Sequence, residues 1–119
     1  MAAIENRSFD DPDESRTPDK TRVDVVRVGD TEVGRFTFEP GWRWSECIKP
    51  VVGTDSCQND HVGYLASGHM GVRHEDGTEV KISPGEAYRI LPGHDAWVEG
   101  DERIVAFEFK SAGSYARPS

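Results

Sequence analysis

Residues 41–100 read GWRWSECIKPVVGTDSCQNDHVGYLASGHMGVRHEDGTEVKISPGEAYRILPGHDAWVEG, and this stretch decides the fold. Short runs rich in Val, Ile and Tyr alternate with Gly, Pro and Asp, the pattern of half-buried strands separated by turns. His61–Ala66, His69–His74, Glu79–Ile82, Ala87–Leu91 and Ala96–Val98 read as strands, and Arg43–Ile48 reads as another. Asp76-Gly77 is a tight-hairpin signal, because a type I′ turn needs positive φ at both central residues. Gly68, Pro84-Gly85, Pro92-Gly93 and Gly100-Asp101 mark further turns. No window of about 11 residues carries a helical apolar period.

Working outward, Val23–Val28, Glu32–Phe38 and Ile104–Phe109 extend the same pattern. Many short strands with turn punctuation predict an all-β antiparallel sandwich or small barrel over residues 23–110. Residues 1–22 differ. Their apolar residues are Met1, Ala2, Ala3, Ile4 and Phe9, and they carry six acids and two prolines. Such a segment buries too little apolar surface to offset its ordering entropy, so it reads as an acidic, flexible arm. The sharper alternative is an arm that adds to the sheet edge of a partner subunit. Residues 111–119 read as a polar tail.

The 119 residues hold 14 Lys+Arg against 22 Asp+Glu, a formal net charge of -8. The predicted barrel segment alone carries sixteen acids and nine bases, so the acidity belongs to the folded part. Nucleic-acid binders need a basic surface to displace counterions, which excludes that partner class. The shortage of cations argues equally against anionic membrane surfaces. No apolar run approaches the roughly 20 residues of a membrane-spanning helix. The first residues lack the basic start and apolar core of a secretory signal, so the expected location is cytoplasmic. A disulfide between Cys47 and Cys57 is not expected in that compartment.

The 41–100 segment resembles the cupin superfamily, small double-stranded β-helices related to the jelly roll. In cupins a first motif reads His, a second His two residues on, a Glu four residues later, then six residues and a Gly. Gly68 anchors that count here. It places His61 at the Glu position, and Cys57 and Asp55 at the two His positions. The second motif is similar to Pro84-Gly85-Glu86 followed by Pro92-Gly93. Cupins usually put a metal-binding His three residues after that later Gly. Ala96 stands there, while His94 follows Gly93 directly. The resemblance implies a metal site at Asp55, Cys57, His61 and His94. It also implies a homodimer.

Asp, thiolate and imidazole are all ligands for divalent ions, and the soft sulfur donor makes zinc the first choice over iron, nickel or copper. Each residue also has a plainer reading. Asp55 caps a turn, Cys57 fills core, and His61 bonds a carbonyl, leaving no metal at all. A third reading makes Cys57 a reactive thiol activated by His61. The rings Trp42, Trp44, Tyr64, Tyr88 and Trp97, with Met70, are candidate walls of a small-molecule pocket. His74 is either core or an extra donor, and Asp95 is a candidate orienter of His94. Fold does not fix activity. The leading expectation is therefore a small-molecule-binding cupin with a divalent metal. The alternative is a metal-free sensing or dimerising module.

Overall fold

Alternation of apolar and polar residues sets the architecture. In the computed structural model, which describes residues 3–117, the chain forms strands β1 (Glu14–Arg16), β2 (Thr21–Val28), β3 (Thr31–Phe38), β4 (His61–Ser67), β5 (His69–His74), β6 (Glu79–Ile82), β7 (Ala87–Ile90), β8 (His94–Glu99) and β9 (Ile104–Glu108). Two four-residue helices, α1 (Trp44–Cys47) and α2 (Lys49–Val52), lie between β3 and β4. One sheet has the order β1-β2-β3-β9-β4-β7 and the other β6-β5-β8, with every pairing antiparallel. The inner faces of both sheets contribute to one core, from Val23, Phe36 and Leu65 in the larger to Met70, Val72 and Val98 in the smaller. Each such side chain, fully buried, contributes roughly 1.5–3 kcal/mol.

Parity along three strands matters most for function. In β4, His61, Gly63 and Leu65 face inward and Val62 and Tyr64 outward. In β8, His94, Ala96 and Val98 face inward. In β9, Ile104, Ala106 and Glu108 do. Two imidazoles and a carboxylate are thereby delivered to the barrel interior by period-2 geometry alone.

Three segments differ from the sequence expectation. Arg43–Ile48 is not a strand. Arg43 bridges Trp97 of β8 for one residue, then the chain turns into α1. The Asp95 carboxylate accepts from the Ser45 N–H (3.1 Å) and its hydroxyl (2.9 Å), which holds the first turn of the helix. Pro50 suits the start of α2, and Gly53 at φ 80° ends it. The N-terminal arm is also ordered onto the barrel. β1 pairs with β2 of its own chain, with Glu14 opposite Val25. Finally, the tail joins the core. Ser111, Ala112, Tyr115 and Ala116 are buried, and the Tyr115 ring packs 4.7 Å from Phe36.

Gly68, the anchor of the motif count, ends β4 at φ 77°, and a Cβ there would sit 2.6 Å from the Arg103 carbonyl oxygen. Positive φ and backbone contact act together at this site. Gly68→Ala is therefore expected to cost about 2 kcal/mol. The urea midpoint should fall with the slope unchanged. An unchanged midpoint would show that the turn relaxes freely.

Candidate metal centre

Cys57, His61 and His94 converge. Their ligand atoms all lie within 4.8 Å of one another, and all three residues are buried. Cys57 Sγ is 3.6 Å from His61 Nε2, and the two imidazole rings are 5.0 Å apart at 67°. His61 opens β4 and His94 opens β8, so both stand at the same end of the barrel. The backbone adds Cys57. Its N–H donates to the His94 carbonyl at 2.8 Å, and its carbonyl accepts from Gly93 N–H at 2.7 Å. This isolated bridge fixes the thiol beside His94 without any longer strand.

The other ring nitrogens are held from outside. His94 Nδ1 lies 2.7 Å from the Leu91 carbonyl oxygen, which only accepts, so Nδ1 carries the proton and Nε2 is left as a donor of its lone pair. His61 Nδ1 lies 2.6 Å from Glu108 Oε1 and 2.9 Å from the Ser111 hydroxyl. Glu108 in turn accepts from Ser111 at 2.6 Å and from the Tyr88 hydroxyl. Gly63 permits that last contact, since a Cβ there would meet Tyr88 Oη at 2.7 Å. A carboxylate behind a histidine sets its tautomer and ring orientation, as in many metal centres.

These contacts set the charge of the cluster. Burial pushes the Cys57 thiol up, but its contacts, first with His61 and then with His94, outweigh it and bring the thiol down to about 6. Burial disfavours charge on His61, yet Glu108 and Cys57 on either side raise it to about 10. Glu108 is held below the ordinary carboxylate range despite burial, chiefly by His61. Without a ligand the cluster rests as thiolate, imidazolium and carboxylate. A metal ion held here would need the His61 Nε2 proton to leave.

The donor set fits a divalent transition ion. A tetrahedral site with bonds of about 2.0–2.3 Å spaces its ligand atoms about 3.5 Å apart. The Cys57–His61 separation of 3.6 Å already matches that spacing. Sulfur with two imidazoles suits zinc.

Asp55 does not join the cluster. Its side chain is fully exposed and lies 3.8 Å from Lys49 Nζ. The two-residue step to Cys57 fails to share a face because residues 53–60 form no strand. Trp42, Trp44 and Met70 line an internal cavity of about 20 Å³ with His61, His94 and Glu108. Tyr88 is buried but spends its hydroxyl on Glu108. Tyr64 faces outward on β4, with 42% of its surface exposed. Trp97 lies on the outward parity of β8, over Gly71 and under the Arg43 guanidinium at 4.6 Å. Asp95 serves Ser45 and Arg43, not His94. His74 bonds the Pro92 carbonyl at 2.8 Å, at the rim. Cys47 and Cys57 are both free thiols.

Sequence reasoning missed Glu108, Ser111 and Tyr115. Glu108 had a signal. It continues the inward parity of Ile104 and Ala106, where an acid needs a partner. Ser111 and Tyr115 had none, because residues 111–119 are polar in composition.

Solved structures share this architecture. A protein of unknown function from Rhizobium leguminosarum bv. viciae 3841 is 18% identical, with a TM-score of 0.65 over 99% of this chain and 100% of that one. An uncharacterised protein with a double-stranded β-helix domain from Klebsiella pneumoniae is 17% identical, with a TM-score of 0.61 over 95% and 88%. A cupin-like protein from Thermotoga maritima is 19% identical, with a TM-score of 0.52 over 76% and 67%. No protein-family model and no curated protein matches the sequence. The chain has the cupin fold, an antiparallel double-stranded β-helix. Among the described residues no helix is long and apolar enough to cross a membrane.

The charge state has a measurable consequence. The thiol is depressed from an ordinary 9.0 to about 6. Its stabilising contribution is therefore complete above 9.0 and is lost as pH falls through about 6. Thiolate ultraviolet absorbance of the metal-free protein should disappear over that same fall. Glu108→Gln should move the His61 titration down and destabilise the fold by about 3 kcal/mol, because it leaves a buried imidazolium unpaired. A thiol that titrates near 9 in the folded protein would contradict this picture.

Proposed function

We propose that the chain is a metal-binding cupin whose Cys57, His61 and His94 hold a divalent transition ion, zinc first, for chemistry on a small molecule. One observation carries the reading: three soft or borderline donors meet in a buried cluster whose ligand atoms lie within 4.8 Å. Such an ion, when bound with one position open, supplies Lewis acidity. The chain's own residues do the rest. Glu108 keeps the proton on His61 Nδ1, and the Leu91 carbonyl does the same for His94. Phe36, Phe38, Trp42, Trp44 and Ile90 exclude bulk water from the inner side. Tyr115 packs 5.4 Å from the His61 ring and lines the same cavity.

A second reading rests on the same atoms. Cys57, His61 and Glu108 form a thiolate–imidazole–carboxylate line, the arrangement of an activated nucleophile. Alkylation separates the two. Under the metal reading, zinc binds at one equivalent and protects Cys57 from iodoacetamide. Cys57→Ser should abolish tight binding, and Glu108→Gln should weaken it by roughly 10–100-fold. No stoichiometric zinc on titration, with unprotected and rapid alkylation of Cys57, would transfer the cluster to the thiol reading.

For assembly, we propose a homodimer through the outer face of β4 and β9. Val62, Tyr64 and Phe109 are 37%, 42% and 52% exposed there. Sedimentation should give twice the chain mass. Tyr64→Lys with Phe109→Lys should give the single-chain mass. A monomeric parent protein would remove the proposal.

A further inference from the structure

Among the described residues, the indole Nε1–H of Trp42 is the one buried side-chain polar atom without a hydrogen-bond partner. The residue is 2% exposed, and its ring stacks on Phe38 at 3.9 Å. A buried donor left unpaired costs about 1–3 kcal/mol, and native interiors rarely keep one. Trp42 also lines the internal cavity that His61, His94 and Glu108 share. None of those three accepts from it in the structure. Glu108 Oε1 is taken by His61 and Ser111, and Oε2 by Tyr88. His61 Nε2 faces Cys57, and His94 Nδ1 faces the Leu91 carbonyl. An occupant of the cavity that Trp42 lines would supply the missing acceptor. Its volume of about 20 Å³ admits one water-sized species.

We infer that this cavity is a binding site for one small hydrogen-bond acceptor, water, hydroxide or a single-atom anion. Trp42 Nε1–H holds it beside the imidazoles of His61 and His94. The chemistry selects the class. An indole N–H only donates, so the occupant must accept. Phe36, Phe38, Met70, Ile90 and Ala96 give the cavity apolar walls, and its hydrogen-bonding groups come from Trp42, Trp44, Tyr115 and the cluster. Trp42 is thus a positioning residue for whatever small ligand stands on the inner side of the centre. The water part of the inference is independent of the metal proposal; the anion part rests on it.

The test is nuclear magnetic resonance of 15N-labelled protein, whose three tryptophans give three indole signals. Loss of one signal in Trp42→Phe assigns it. If that variant does not fold, Trp44→Phe and Trp97→Phe assign it by elimination. In the metal-free protein the Trp42 indole proton should receive magnetisation from a long-lived bound water. No transfer means a dry cavity and overturns the site. In the zinc-loaded protein, fluoride should shift the Trp42 indole signal saturably. Trp42→Phe should weaken fluoride at least about tenfold, read on the histidine ring nitrogens, without lowering the melting temperature. Equal fluoride affinity in the variant overturns the role of Trp42. Zinc that fails to move the His61 and His94 ring signals sinks the metal proposal alone, and the water result still decides the site.

Discussion

His61 and Glu108 face each other at 2.6 Å inside the barrel, and the surrounding residues keep that pair charged and dry. Two opposite charges removed from water need more than each other, because desolvation of each ion costs several kcal/mol. The remaining valences are filled. Tyr88 and Ser111 donate to the carboxylate, and the Cys57 thiolate takes the other side of the imidazolium. Those contacts reach from β4, β7, β9, the Cys57 loop and the tail, so one ion pair ties five segments to a single point. Gly63 belongs to the same arrangement, since any side chain there would displace the Tyr88 hydroxyl.

The ends of the chain complete that interior. The Arg16 guanidinium donates to the Glu14 carboxylate at 2.6 Å and to the carbonyls of Ala112, Gly113 and Tyr115. Arg117 returns to Glu14 at 2.7 Å. A planar guanidinium with several fixed donors can satisfy a run of turn carbonyls that no strand pairs. The arm thus holds the tail, and the tail brings Ser111 to Glu108 and Tyr115 to the cavity. Glu14 of the arm is the acid this clamp uses.

Most of the barrel was legible. Eight of the nine expected strands exist near their expected bounds, because period-2 alternation and turn residues are local properties of the chain. Arg43–Ile48 was not legible, since its helix is started by Asp95, fifty residues away in sequence. The cluster was legible in three members of four. His94 stands two residues before Ala96, where the resemblance expects a ligand, and a shift of two preserves the inward face of β8. Asp55 failed for the complementary reason, as parity means nothing in a loop. Glu108 was visible only as an acid on an apolar parity.

The sequence by itself determined which residues share a face along each strand, but not that His94 enters the interior, because the strand it opens reads from Ala96. Alternation is fixed by backbone geometry, whatever the partners turn out to be. Only the tertiary structure decided that His61, His94 and Glu108 meet one another, that Cys57 completes them through a two-bond bridge to β8, and that the polar tail packs against them. Those outcomes depend on strand register and on contacts between residues about 50 positions apart. Local composition carries no record of either, because the hydrogen bonds that set them are exchanged between segments and not within them.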